Sequence, residues 1–181
     1  MAGLVCPFSA AHAEFSLPIV VQVPLILKLL TYEQRLMQTQ EPVILIGFLF
    51  HPKDSESRGC FEQFNAQIES YADRTIHGHR VALVPLVIED ADRLRASLTR
   101  THIDVLYVGP GNAARIKQIS EVTRTVGTLT VTGDESYVDD GLSVAVVRRG
   151  EQPGITMNLA ASRAEGFEWD ARLLALCRVI R

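Results

Sequence analysis

Apolar positions along the chain fall into two kinds of block, short continuous runs and longer stretches with helical spacing. Between Ile19 and Met37, Leu25, Leu29, Tyr32 and Leu36 lie near one face and predict an amphipathic helix starting at or slightly before Pro24. Glu41-Pro42 stops it, because the residue before a proline is biased away from helical backbone. Val43 to Phe50, VILIGFLF, is apolar without alternation, the pattern of a strand covered on both faces. His51 to Gly59 is polar and predicts a loop. Phe61, Phe64, Ile68 and Tyr71 then recur at helical spacing over 60–71.

The same rhythm continues. His79 to Leu86 predicts a second strand, and Asp90 to Thr99 a short helix capped by Asp90 with Leu94 and Leu98 inward. Ile103 to Val108 predicts a third strand. Gly111 to Thr125 predicts a helix through Ile116, Ile119 and Val122, capped by Asn112, and Leu129 to Thr132 a fourth strand. The acidic stretch Gly133-Asp134-Glu135-Ser136 then leads toward Leu142. Leu142–Arg148 and Ile155–Leu159 are strand-like runs separated by hairpin spacing, so they should pair antiparallel. Helices over 160–164 and 170–180 close the chain. Alternating strands and helices build a parallel sheet with helices on both faces. The expected class is α/β, a layered, mostly parallel sheet flanked by helices, with a C-terminal antiparallel hairpin.

Composition narrows the function. At 181 residues, 47% hydrophobic and 22% charged, the chain suits one well-buried domain. A net charge of −3 with scattered arginines gives no footprint for nucleic acid. No apolar run reaches the roughly 18 residues of a membrane span; Leu17–Leu30 is interrupted by Pro18, Gln22, Pro24 and Lys28. Ala11-His12-Ala13 has the A-x-A form of a leader cleavage site, although no positive region precedes it. We read residues 1–13 as a clipped signal-peptide remnant and 14–181 as a single exported domain; the other reading is a small-residue tail. Of Cys6, Cys60 and Cys177, the last two could pair in an oxidising compartment, but their spacing forms no motif, and Cys177 also reads as a small buried hydrophobe.

Candidate chemistry is sparse. Gly109-Pro110-Gly111-Asn112-Ala113-Ala114 follows a strand and matches G-x-G-x-x-A, with Asp134 about twenty residues on, the spacing of a dinucleotide site. Pro110 removes one amide from that turn, and two strands precede it where such motifs open the sheet. A tight turn is the plainer reading. Asp134, Glu135, Asp139 and Asp140 could meet a divalent cation, but they lack the calcium-loop spacing and read better as solvated turn carboxylates. No G-x-S-x-G, C-x-x-C or paired-histidine motif is present, so no catalytic residue, metal site or cofactor is assigned. His77 and His79 flank Gly78 in an expected turn. His51, Gly111, Asn112 and Asp134 should gather at the carboxyl edge of the sheet, where such folds bind ligands.

The last third carries a resemblance. Thr132-Gly133-Asp134, then Asp140-Gly141-Leu142, a strand, a turn at Gly150 and ITMNLAASRAEGFEWDARLLALCRVI follow the order of the YfiR-like family of periplasmic regulators. Its closing pattern, I-x-F-x-x-N-x-x-A-A-x-x-A-G-L-x-x-S-x-x-L-L-x-x-A, is similar to Ile155, Met157, Asn158, Leu159, Ala160, Ala161, Ala164, Gly166, Phe167, Leu173 and Leu174. Upstream, Val43–Gly47 resembles the family's first strand and Asp104–Val108 its C-x-V-L-F-I strand, without the cysteine. Glu168-Trp169-Asp170-Ala171 stands where the family has a serine pair, and Leu29-Leu30-Thr31-Tyr32 where it often has Y-N-F-A-K-F.

The resemblance implies a non-enzymatic periplasmic protein that binds the periplasmic sensory domain of a membrane-anchored diguanylate cyclase and represses it, thereby controlling cyclic-di-GMP and biofilm formation; a homodimer is a further arrangement to consider. Phe167 and Trp169, or the face of the first helix, are the candidate contact surfaces, and they read equally well as core. The alternatives are a periplasmic small-ligand sensor using the sheet-edge loops and a nucleotide-binding enzyme built on the Gly109–Ala114 turn. From the residues themselves, Asn158 and Asp170 should cap the closing helices and Gly166 should end the first of them.

Overall fold

The structure, a computed structural model, describes residues 17–87 and 90–180, so the expected leader remnant and Cys6 lie outside it. Among the described residues, α-helices and strands run in the order α1 Ile19–Leu30, α2 Gln34–Gln38, β1 Val43–Leu49, α3 Ser55–Ser70, β2 Thr75–Ile76, β3 His79–Leu86, α4 Ala91–Thr101 and β4 Val105–Val108, then α5 Ile116–Val126, β5 Leu129–Thr132, α6 Glu135–Asp139, β6 Val144–Arg149, β7 Gln152–Asn158, α7 Leu159–Ala164, α8 Ala171–Leu174 and β8 Arg178–Ile180. The strands form one sheet in the order β2-β3-β1-β4-β5-β6-β7-β8.

From β3 through β1, β4 and β5 to β6 every pairing is parallel; β6 and β7 form the expected antiparallel hairpin, and β8 adds parallel to β7. The expected fold class is therefore the observed one. The five parallel strands follow the flavodoxin-like order. After β1 the chain first adds β3 on one side, then crosses to add β4 on the other. The β1 and β4 loops accordingly diverge at the carboxyl edge, leaving a crevice between them.

Both faces of the sheet are covered, which explains the unalternating VILIGFLF run. Ile44, Ile46 and Phe48 face α1 and α3 in one core, together with Val105 and Tyr107 of β4 and Leu129 and Val131 of β5. Leu49, Leu106 and Val108 enter a second core with Leu94 and Leu98 of α4 and Ile116, Ile119 and Val122 of α5. At the centre of the first, the Phe48 ring lies 5.2 Å from Phe64 and 4.8 Å from Tyr107, centroid to centroid. The wholly buried Tyr107 hydroxyl donates to Gln22 Oε1 at 2.8 Å, so its polar end is satisfied.

Several boundaries differ from expectation. α1 runs through Pro24 and stops at Leu30, with α2 a separate turn. The carbonyl that loses its partner to Pro24 belongs to Val20, which is exposed, so water can take the acceptor. α3 begins inside the polar stretch, because Asp54 Oδ1 accepts the amides of Glu56 and Ser57 at 2.9 and 3.2 Å. Glu135 to Asp139 forms one helical turn in place of an open acidic loop, capped by Asp134 Oδ1 on the Ser136 amide at 2.9 Å. β2 was not anticipated; it pairs with β3 around His77 and Gly78, whose φ of 53° and 89° suit a two-residue hairpin turn. The hairpin loop between β6 and β7 is only Gly150-Glu151, and β7 starts early enough to include Pro153.

The closing segment corrects a second expectation. Residues 170–180 are not one helix: α8 is a single turn, and the β-branched pair Val179-Ile180 joins the open edge of β7. The anticipated caps hold. Asn158 Oδ1 accepts the Ala161 amide at 2.9 Å and Asp170 Oδ1 the Arg172 amide at 2.8 Å. α7 ends in a Schellman motif, with the Gly166 amide on the Arg163 carbonyl and the Phe167 amide on the Ser162 carbonyl, both at 3.0 Å. Gly166 takes the required left-handed backbone at φ 85°.

Two stability measurements check this account. Phe48→Ala should cost about 3–5 kcal/mol in denaturant unfolding, as a large ring leaves a close-packed site. Gly166→Ala should destabilise by about 1–2 kcal/mol through its left-handed φ. Gly59→Ala, within α3 and with no atom within 4 Å of a new Cβ, should instead stabilise by about 0.5–1 kcal/mol.

Candidate functional site

The carboxyl-edge crevice between β1 and β4 is built by two loops that lock onto each other. Ser57, in the first turn of α3, accepts the His51 amide at 2.9 Å and donates its hydroxyl to the Pro110 carbonyl at 2.8 Å. Asn112 Nδ2 donates to the Gly109 carbonyl at 3.0 Å and reaches the Leu49 carbonyl at 3.4 Å, joining the ends of both strands. A Cβ at Gly111 would meet Asp54 Oδ2 at 2.7 Å and His51 Cβ at 3.4 Å, so glycine permits the close approach. His51, Lys53, Asp54, Ser55 and Gly111 line an open concavity of about 390 Å³ here.

The structure places His51, Gly111 and Asn112 side by side at this edge. Asp134 stands at the tip of the next strand, β5, and Tyr137 of α6 connects the two places. Burial, with Asp134 nearby, pushes the Tyr137 phenol up to about 12, against the pull of the neighbouring Asn112 and Ala113 backbone. Asn112 caps no helix with its side chain; a 3₁₀ turn, Ala113–Arg115, follows it before α5, and its amide group is committed to the strand ends instead. Asn112 Oδ1 and Asp134 Oδ2 are buried acceptors without a partner, and Arg115 Nε is a buried donor without one.

Phe167 and Trp169 do not form an exposed pair. Phe167 is wholly buried, with the Arg35 guanidinium 4.8 Å from its ring centroid. Trp169 is 7% exposed and donates Nε1 to Ser162 Oγ at 2.6 Å. Their surfaces are used inside the molecule, where Glu33 also clasps this segment by accepting the amides of Glu168 at 3.1 Å and Leu36 at 2.7 Å. Cys60 is buried on α3 and Cys177 half-buried ahead of β8, and both are free thiols. Burial pushes Cys60 up to about 12 and Cys177 to about 11. Among the described residues no group of three or more His, Cys, Asp or Glu is placed to hold a metal, and no helix is long and apolar enough to cross a membrane.

A second concavity, of about 490 Å³, lies at the opposite, amino end of the strands, lined in part by Arg35, Glu41, His102 and Asp104. Asp104 Oδ2 accepts the Leu45 amide at 2.9 Å, and burial holds its carboxyl above the ordinary range. The reading from sequence also passed over Glu165, enclosed beneath α7 between Ala164 and Gly166. Nothing in the run Ala161-Ser162-Arg163-Ala164-Glu165-Gly166 marks it out, since Arg163 is a second charge in the same run and is exposed.

Comparison with known proteins gives fold and family. A conserved domain protein from Vibrio cholerae superposes with a TM-score of 0.66 at 14% identity, over 91% of this chain and 60% of that one. A Streptococcus pneumoniae ABC domain in complex with L-Trp gives 0.61 at 14% identity, over 85% and 59%. CD0873, a substrate-binding protein with adhesive properties from Clostridium difficile in a ligand-free, open structure, gives 0.54 at 16% identity, over 76% and 54%. At these identities the likeness is one of fold, and the chain spans at most 60% of the length of these three structures. No curated protein matches the chain. The YfiR/HmsC-like family model matches residues 45–178, from within β1 to the first residue of β8, and the chain belongs to that family.

Proposed function

We propose that this chain is a non-enzymatic periplasmic regulator that binds the periplasmic sensory domain of a membrane-anchored diguanylate cyclase and holds the cyclase inactive. Release would raise cyclic-di-GMP and favour biofilm formation. The observation that carries this reading is the family match over residues 45–178. The resemblance in the closing Asn158–Leu174 segment adds to it, since those residues build the helix junctions rather than a reactive centre. Deleting the gene should raise cellular cyclic-di-GMP, and the purified chain should co-elute with the cyclase's periplasmic domain. Unchanged cyclic-di-GMP together with no complex would defeat the proposal.

A second reading is a small-ligand sensor at the β1/β4 crevice, using His51, Gly111, Asn112 and Asp134. It is favoured by the position of His51, Gly111 and Asn112 at the crossover between β1 and β4, where doubly wound sheets bind ligands. A ligand at about 100 times its Kd should stabilise the chain by about 2.7 kcal/mol in thermal unfolding. His51→Ala and Asp134→Asn should abolish that gain while leaving the ligand-free protein folded. A panel of periplasmic metabolites producing no shift at all would leave the crevice without a sensory role.

A further inference from the structure

Glu165 occupies the C-cap of α7 with no exposed surface. Its Oε1 accepts the Thr123 hydroxyl at 2.8 Å and the Thr130 hydroxyl at 2.9 Å; its Oε2 accepts the Thr130 amide at 2.9 Å and the Ser143 hydroxyl. These donors come from α5, β5 and the approach to β6. The position has a cause in the sheet. β5 and β6 pair only from Val131 and Val144 onward, so the Thr130 amide has no β6 carbonyl opposite it. The Glu165 carboxylate fills that place.

Among the described residues no cation pairs with Glu165. Arg35 of α2 donates to the Gly127 carbonyl at 2.8 Å, and Arg124 of α5 to the Gly141 carbonyl at 3.0 Å. Glu121 on α5, Arg163 on α7 and Glu168 beyond Gly166 are exposed. Burial lifts the carboxyl to about 7, against the pull of its four donors.

The surroundings can satisfy either protonation state. The Thr123 hydroxyl has two acceptors within reach, Glu165 Oε1 at 2.8 Å and the Ser120 carbonyl at 3.2 Å, and one proton to give. When Glu165 is ionised, that proton points to the carboxylate. When Glu165 is protonated, the hydroxyl turns to Ser120 and its oxygen accepts the carboxylic proton.

We propose that Glu165 is a proton-operated latch, with the Thr123 hydroxyl as its moving part, that fastens the α7–β8 segment to the sheet more tightly when protonated. The direction follows from linkage. The folded state holds this proton to a higher pH than an unfolded glutamate does, so the contribution of Glu165 to stability is fully present below the ordinary carboxylate range and is lost as pH rises to about 7.

Amide hydrogen exchange reads the latch directly. After correction for intrinsic rates, Thr130, Ser143 and Phe167 amides should open several-fold more often at about pH 8 than at about pH 5.5 in the unmodified chain. Glu165→Gln, neutral at both values, should abolish the difference. Equal opening at the two pH values, or the same response in Glu165→Gln, would overturn the proposal. Should that variant not fold, Thr123→Val keeps the carboxyl and removes one donor to the anion. The infrared carboxyl band should then titrate at higher pH than in the parent, and an unmoved midpoint, or a parent midpoint in the ordinary carboxylate range, would overturn it.

Discussion

Burying a parallel sheet on both faces is the constraint from which the rest of this molecule follows. Each strand from β3 to β6 must offer apolar side chains in both directions and must satisfy its backbone within the ladder. β1 and β4 do so, splitting alternate residues between the α1/α3 core and the α4/α5 core. β5 does not. Leu129 and Val131 face one core, but Thr130 and Thr132 face the other way and are equally buried. The hydroxyls then need partners: Thr132 finds the Val108 carbonyl at 3.1 Å, and Thr130 finds Glu165. A polar side of one central strand thus draws a carboxylate into the interior and ties the end of the chain to its middle.

The crevice at the other end of those strands shows how little of a polar cluster need be free for chemistry. Ser57 has the outward look of a nucleophile near a histidine, yet its hydroxyl is committed to Pro110 and its oxygen to the His51 amide. Asn112 is committed to the strand ends. What remains open is the shallow basin at His51, Lys53 and Asp54.

Legibility from sequence divides along the same line. Continuous apolar runs such as VILIGFLF, and capping residues such as Asn158, Asp90 and Asp170, act through neighbours in the chain, so the parallel sheet, the hairpin and the closing helix junctions could be anticipated. Polar HPKDSESRG hid the start of α3 because Asp54 works as a cap there and leaves no apolar trace. Leu173, Leu174, Leu176 and Cys177 had a helical period, but the open edge of β7 claimed the following residues, and Leu176 stands 79% exposed. For Phe167 and Trp169 the sequence left surface and core equally open, because two aromatics in a short polar loop look alike in either place. Glu165 depends on Thr123, Thr130 and Ser143, all more than twenty residues away, and only the fold brings them together.

The two ends of the sheet carry a consequence for the protein in a crowded compartment. β2 covers only the first two residues of β3, and β8 only the last three of β7, so backbone on each outer strand lies open to a stranger. Each uncovered stretch contains a proline, Pro85 on one and Pro153 on the other, which offers no amide hydrogen to an incoming strand. Neighbouring molecules brought side by side would meet a broken row of donors at both margins, and the sheet should resist growing into fibrils through its edges.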